Sequence, residues 1–271
     1  MKLSKIAIII SLFFWPMGLW LKNNPGDFMT YLLPAVLLLL AYCLYSYCRD
    51  KQYWLIPVLL IPYLSPKLLL LPILVITILL IIGQRKIFIW LALGISLLGA
   101  VFLFKPFWGQ TIFKPDYEQT QQVIRNIHLY PSILLARVYQ NKVRIITDKF
   151  NHNWVSLIDP SNYFFGFHPR EDYLDNQNLD KYPYLALPFL IYGVFLISKH
   201  PNKLFLMTVI VSSILALSVL TNFDRHDFIL YIPLSLLTIY GINKAKINNL
   251  VWVGFLIVSI EQLIRLILIK L

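Results

Sequence analysis

Residues 87–104, IFIWLALGISLLGAVFLF, form a run of 18 residues without a single charged side chain. A helix needs roughly 20 apolar residues to cross about 30 Å of hydrocarbon. The remaining chain has the same character: 58% of its 271 residues are hydrophobic, 14% are charged and the mean hydropathy is +0.68. Soluble domains carry about 25% charged residues, so the composition excludes a soluble globule and a disordered chain. It predicts a multi-spanning membrane protein.

Similar apolar runs recur along the chain, and they predict an all-α, polytopic transmembrane bundle of about nine helices. The candidate spans are Ile6–Leu21, Phe28–Tyr47, Trp54–Leu64, Leu68–Ile82, Ile87–Phe104, Tyr182–Ile197, Leu204–Leu220, Phe228–Ile242 and Leu250–Ile269. The first run resembles a signal peptide, but Trp15, Pro16 and Trp20 occupy the place where small residues of a cleavage site are needed. We therefore predict an uncleaved first span.

The breaker Ser65-Pro66-Lys67 separates two short apolar runs, which form either two passes or one long kinked helix. Basic residues favour two passes, because Lys and Arg collect in cytoplasmic loops. With two passes and the N-terminus inside, the cytoplasmic cations are Lys2, Lys5, Arg49, Lys51, Arg85, Lys86, Lys199, Lys203, Lys244 and Lys246. This distribution explains the net charge of +11 without a nucleic-acid partner. We predict a bacterial-type plasma-membrane protein with a cytoplasmic N-terminus and an extracytoplasmic C-terminus.

One long polar segment divides the chain into three parts: N-terminal transmembrane helices over 1–104, an extracytoplasmic segment over 105–181, and C-terminal transmembrane helices over 182–271. The middle segment contains a helical pattern with one apolar and one polar face, typical of an amphipathic helix lying at the membrane interface. The apolar face is Leu135, Tyr139, Val143, Ile146, Phe150 and Trp154. The polar face is Arg137, Asn141, Arg144 and Asp148.

Signatures of soluble enzymes are absent from the sequence: it has no Gly-rich phosphate loop, no Gly-x-Ser-x-Gly and no His-Glu-x-x-His. The five histidines lack metal-ligand spacing, and Cys43 and Cys48 lie in one apolar run. We therefore expect no metal site and no cofactor.

Three polar groups at the predicted outer face are candidates for function. Asp27 precedes the second span and is either a general base at the interface or a helix N-cap. The stretch 222–227 crowds two acids, Arg225 and His226 into a short turn, which is either a solvated turn or a contact for a lipid phosphate. His168 and Arg170 belong to a second charged cluster, for which hydration is the simpler explanation.

Three stretches resemble the polytopic glycosyltransferases of the GT-C type, which include protein O-mannosyltransferases and aminoarabinose transferases. The first is Asn24-Pro25-Gly26-Asp27-Phe28 after the first span. The second runs from Asn162-Tyr163-Phe164-Phe165-Gly166-Phe167-His168-Pro169-Arg170 to Pro183-Tyr184-Leu185-Ala186-Leu187-Pro188. The third is Asp224-Arg225-His226-Asp227-Phe228-Ile229-Leu230-Tyr231-Ile232-Pro233, continuing to Tyr240-Gly241.

The resemblance implies transfer of a sugar from a polyprenyl-phosphate donor to an acceptor at the outer membrane face. Asp27 would deprotonate the acceptor hydroxyl as the catalytic base, while Arg225, His226, His168 and Arg170 would bind substrate. The expected partners are the lipid bilayer and the polyprenyl-phosphate-linked sugar. The first outer loop is short and holds Asp27 as its one acid. The alternative is therefore a shortened, inactive relative that acts as a lipid-binding or transport accessory, and the sequence leaves enzymatic activity open.

Overall fold

The described part of the chain is built of helices. The computed structural model describes residues 28–48, 52–84, 86–114, 121, 124–125, 127, 132, 141–164, 182, 186–245, 253–254, 257 and 264. The α-helices are α1 (Leu33–Tyr47), α2 (Leu55–Leu64), α3 (Leu70–Ile81), α4 (Ile87–Trp108), α5 (Lys142–Ile158), α6 (Ser161–Phe164), α7 (Leu187–Phe195), α8 (Lys203–Ser218) and α9 (Phe228–Lys244). Over these residues the only β-type pairing is the isolated bridge between Thr111 and Leu220. The predicted all-α class is confirmed for this part of the chain.

Shorter helical turns lead into or out of several of these helices. A π-helical turn, Phe28–Leu32, continues directly into α1. The 3₁₀ turns are Gln52–Trp54 before α2, Pro66–Leu68 before α3, Ile197–Lys199 after α7 and Asp224–Asp227 before α9.

Seven of the nine predicted spans coincide with described helices. The segment Ile6–Leu21 lies outside the described residues, and Leu250–Ile269 is described at four positions. Within the described ranges, two helical segments are long and apolar enough to cross a membrane: Phe28–Tyr47 and Ile87–Trp108, with mean hydropathies of 2.0 and 2.6. The second continues four residues beyond the predicted end at Phe104, through Pro106. The nine-span topology and the three-part division of the chain stay predictions.

Helices α2 and α3 form a tight hairpin around Ser65. Ser65 has extended backbone (φ −137°, ψ 100°), which ends α2 and lets Pro66 open the next turn. The Tyr53 ring packs edge-on against Phe88, with centroids 6.4 Å apart. At the other end of α2, a Cβ on Gly99 would come 2.9 Å from Tyr63 Oη. Helices α2 and α4 therefore run in the same direction, and α3 returns between them.

Helices α7 and α9 approach each other at a pair of glycines. A Cβ on Gly193 would collide with the backbone carbonyl of Leu237, and a Cβ on Gly241 would collide with that of Phe189. Small residues permit such close backbone contact, which is a common way for transmembrane helices to associate. This packing joins α7 to the C-terminal half of α9, and the polar turn Asp224–Asp227 lies before the other end of that helix.

Helix α5 docks on the end of α8 through Asn153. Both amide protons of Asn153 Nδ2 are donated, to the carbonyl oxygens of Ser218 at 2.9 Å and of Leu220 at 2.7 Å. Asn141 caps the start of the helix by accepting a hydrogen bond from the Arg144 backbone N–H at 2.9 Å.

The predicted apolar face of this amphipathic helix is partly wrong. Val143 is 68% exposed, because the helix contacts the bundle through its C-terminal half, where Asn153, Ser156 and Leu157 are buried. Ile146 and Phe150 are half-buried, and the polar-face residues Arg144 and Asp148 are exposed. The predicted positions Leu135, Tyr139 and Arg137 lie outside the described residues.

Candidate functional site

The turn that precedes α9 is joined to the tip of the α2–α3 hairpin by a buried hydrogen bond. His226 Nε2 lies 2.7 Å from Ser65 Oγ, and both side chains are almost fully enclosed. The second ring nitrogen, Nδ1, lies 3.0 Å from the backbone carbonyl oxygen of Phe223. A carbonyl oxygen only accepts hydrogen bonds, so Nδ1 carries a proton. In the neutral ring, Nε2 therefore accepts the hydroxyl proton of Ser65, which leaves Ser65 Oγ polarised towards the histidine.

The start of the α1 segment meets the same turn. Tyr31 packs its ring edge-on against His226, with centroids 4.7 Å apart and an interplanar angle of 70°. Tyr31 follows Asp27, the predicted catalytic base, by four residues in the sequence. Asp27 itself lies outside the described residues, so its role as base or helix cap stays a prediction.

Asp227 is fully buried at the N-terminus of α9. The positive end of the helix dipole favours a carboxylate at this position. Tyr163, in the segment 105–181, lies close to it: burial raises the pKa of the Tyr163 phenol well above its ordinary value, and the nearby Asp227 and Tyr182 raise it further. The sequence interpretation did not include Asp227 among the site residues. The signal for it was its position directly before an apolar span, where an acid is expensive unless stabilised.

Tyr163 and Tyr182, which flank residues 165–181 in the sequence, contact each other at this end of α9. The Tyr182 backbone N–H donates to the carbonyl oxygen of Tyr163 at 2.8 Å. The Tyr182 hydroxyl donates to the carbonyl oxygen of Tyr231 at 2.8 Å and lies 2.6 Å from Ser235 Oγ. Because the phenol has one proton, Ser235 donates the second bond. Stacking of Tyr182 on Tyr231, with centroids 5.1 Å apart, completes an aromatic cluster around the turn.

The predicted substrate-binding residues are described only in part. Arg225 is half-buried and directly precedes His226. His226 has both ring nitrogens bonded within the protein, so the described conformation presents the Arg225 side of the turn rather than the imidazole to the surroundings. His168 and Arg170 lie outside the described residues, and their roles stay predictions. Among the residues that the structure describes, no group of three His, Cys, Asp or Glu side chains could hold a metal ion.

Basic residues collect at the opposite end of α9. Tyr240 Oη donates to the carbonyl oxygen of Lys199 at 3.1 Å, and Lys244 Nζ lies 5.8 Å from the centroid of the Tyr240 ring. Asn202, beside Lys203, donates through Nδ2 to Ser46 Oγ at 3.1 Å, which adds the C-terminal end of α1 to the same region. The turns that carry these lysines are thus separated from the His226 turn by the length of α9.

Comparison of the chain with protein-family models, with curated proteins and with solved structures finds no match. The resemblance to GT-C glycosyltransferases therefore stays a prediction.

Proposed function

We propose that the chain is a polytopic membrane glycosyltransferase of the GT-C type, which moves a sugar from a polyprenyl-phosphate donor to an acceptor at the outer membrane face. One observation carries the proposal. Three segments that are distant in sequence meet at one end of the bundle: Tyr31 after Asp27, the Arg225-His226 turn, and Tyr163 of the long polar segment with Tyr182, which directly follows that segment. These are the stretches on which the resemblance depends.

The surface of α4 supports the membrane placement. Trp90 and Trp108 are 54% and 43% exposed and are separated by 18 residues, which is five full turns, so they share one face. At 1.5 Å per residue they lie about 27 Å apart, close to the roughly 30 Å of a hydrocarbon core. Tryptophan is enriched at both membrane interfaces. Between the two tryptophans, apolar side chains such as Val101 and Phe102 are strongly exposed, which suits contact with lipid tails.

The orientation follows from charge. The end of the bundle that carries Lys199, Lys203 and Lys244 is the cytoplasmic one under the positive-inside rule. The opposite end, with Arg225, Ser65 and Asp227, then faces outwards in a bacterial-type plasma membrane. Together with the predicted spans Ile6–Leu21 and Leu250–Ile269, this arrangement is the proposed nine-helix bundle with an extracytoplasmic segment over 105–181.

The chemistry assigns each residue one step. The carboxylate of Asp27 accepts the proton of the acceptor hydroxyl, whose oxygen attacks the anomeric carbon of the sugar. The bond from that carbon to the phosphate oxygen breaks, and the polyprenyl phosphate leaves with the electron pair. The guanidinium of Arg225 stabilises the charge on the departing phosphate, for which its planar fork is suited. The hydrogen bond between His226 and Ser65 fixes the turn and so positions the neighbouring Arg225. His168 and Arg170 contribute further contacts to the donor.

A lipid-binding accessory without transfer activity is the second candidate, and one observation favours it. Asp227, a carboxylate in the described part of the site, is fully enclosed and does not face an acceptor. Asp27 is then the proposed base, and it lies in a short first outer loop without a second acid.

Transfer and lipid binding in proteoliposomes separate the two candidates. The purified protein is reconstituted with polyprenyl-phosphate mannose carrying a radiolabel, and mannose transfer and donor binding are measured. The enzyme proposal expects Asp27→Asn to abolish transfer with binding retained, and Arg225→Ala to weaken binding. Asp148→Asn and Arg144→Ala are matched controls, since both residues are exposed on α5. Binding without transfer by the parent protein supports the accessory candidate. Donor binding that Arg225→Ala leaves unchanged contradicts both.

A further inference from the structure

The α2–α3 hairpin is much shorter than its neighbour α4. On the exposed side of α2, Tyr53 and Tyr63 enclose Ile56 and Leu60, and all four side chains are about half exposed. The two tyrosines are ten residues apart, which is about 15 Å along the helix. Tyrosine, like tryptophan, prefers the membrane interface. The apolar stripe between the aromatic residues of α2 is therefore about half as long as the 27 Å between Trp90 and Trp108 on α4.

The contacts between α2 and α4 fix where the short stripe lies. Tyr53 is level with Phe88, near the start of α4, and Tyr63 is level with Gly99. Nine further residues separate Gly99 from Trp108, so α4 continues for about 13 Å past the end of α2. The tip of the hairpin is the 3₁₀ turn Pro66–Leu68, which begins three residues after Tyr63 and contacts α4. The tip therefore lies near the level of Gly99, and α4 continues past it towards Trp108.

Polar groups lie at the tip of the α2–α3 hairpin. Ser65 is bonded there to His226, and one or two residues away lie the cations Lys67 and Arg225, both half-buried. Beside the tip, apolar side chains of α2, α3 and α4 line a small crevice, among them Tyr63, Leu69 and Leu103. Cations beside an apolar surface match the headgroup and the tails of a phospholipid.

We infer that phospholipid headgroups of the outer leaflet are drawn down to the tip of the α2–α3 hairpin, so that the bilayer is locally thinner beside α2 than beside α4. Short apolar helices are accommodated by bilayer thinning at a modest cost per ångström. The phosphates then lie at the level of Lys67 and Arg225. The inference rests on the membrane placement in the proposed function but is independent of sugar transfer.

Spin labels at two positions test this inference in the full chain, reconstituted in phosphatidylcholine vesicles after Cys43→Ser and Cys48→Ser. Tyr63→Cys places a label on the exposed side of α2, and Phe102→Cys places one on the exposed side of α4, three residues closer to the Trp108 end than the Gly99 level. In a flat bilayer the Phe102 label is the shallower of the two. With local thinning, the Tyr63 label collides with a water-soluble nickel complex several-fold more often than the Phe102 label, which collides mainly with oxygen.

A nickel-chelating lipid identifies what reaches Tyr63. Relaxation of the Tyr63 label by nickel on the lipid headgroup is expected, because the headgroup plane descends to it. If only the soluble complex relaxes that label, a water-filled cleft replaces the lipid and the inference is overturned. Equal burial of both labels in hydrocarbon overturns it as well, while leaving the membrane placement intact. A Phe102 label in water instead contradicts the membrane placement itself.

Discussion

His226 Nε2 and Ser65 Oγ lie 2.7 Å apart, although 161 residues separate them in the sequence. The bond connects the tip of the α2–α3 hairpin to the turn that opens α9, and it is enclosed by Tyr31 from the α1 segment. The contact thus joins two parts of the proposed site, and Tyr31 packs a third part against it.

Loss of this contact is expected to destabilise the bundle. Ser65→Ala leaves His226 Nε2 buried without its partner, which costs about 1–3 kcal/mol of the free energy of unfolding. Thermal or denaturant unfolding in detergent measures the change. Thr77→Ala is the matched control, since the Thr77 hydroxyl is exposed and bonds within its own helix to the Ile73 carbonyl oxygen. Equal stability of the two variants would show that the His226 contact contributes little.

The glycine pair between α7 and α9 allows a second prediction. Gly193→Ala places a methyl group against the Leu237 carbonyl and forces the helices apart, at a cost of about 1–3 kcal/mol or more. Gly94→Ala, on α4, meets open space and should be neutral or slightly stabilising, because alanine favours helix over glycine. Unfolding of both variants in the same detergent measures the difference. Similar melting temperatures would contradict the close approach of α7 and α9.

Asn153 is expected to hold α5 to the bundle. Asn153→Ala removes two buried hydrogen bonds to the carbonyls of Ser218 and Leu220 and leaves those oxygens unpaired. Hydrogen exchange of the α5 amides should become faster, while exchange in α9 stays as in the parent. Asn151→Ala, at an exposed position of the same helix, serves as the control. Unchanged exchange after Asn153→Ala would mean that other contacts dock this helix.

Asp159, in the turn between α5 and α6, is expected to give a small pH dependence of stability. Hydrogen bonds from Ser161 lower the pKa of the Asp159 carboxyl below its ordinary value. A lowered pKa in the folded state contributes stability that is present above the unfolded value and is lost as the pH falls through the folded value. The stability difference between the parent and Asp159→Ala should therefore shrink upon acidification below about pH 4. A difference that stays constant over this range would exclude the charged form as its source.

The sequence predicted well those features that depend on local chemistry. Apolar runs located the described helices, and Ser65-Pro66 located the hairpin, because proline opens a helix but cannot continue one. Arg144 and Asp148 were placed correctly on an exposed helical face. Val143 was predicted on the buried face but is exposed. Helical spacing identifies which face of α5 is apolar, but it does not show that the bundle covers only the C-terminal half of that face.

The polar contacts of the site could not be derived from the sequence. The partner of His226 is distant in sequence, and nothing near Ser65 distinguishes its hydroxyl from that of a solvated turn. The position of Tyr163 close to the buried Asp227 could not be predicted either, because Tyr163 comes from the distant segment 105–181. Such contacts follow from the packing of whole helices rather than from the spacing of residues along one of them.

The orientation of the turn between α8 and α9 is the most direct test of the proposed outer-face site, because Arg225 and His226 lie in this turn. In the protein with Cys43→Ser and Cys48→Ser, Asn222→Cys gives an exposed thiol beside the Arg225 turn, and Lys203→Cys gives an exposed thiol at the opposite end of α8. Intact cells are treated with a membrane-impermeant maleimide, before and after permeabilisation. We expect labelling of Asn222→Cys in intact cells and of Lys203→Cys only after permeabilisation. The reverse pattern would place the Arg225 turn in the cytoplasm and contradict the proposed outer-face site.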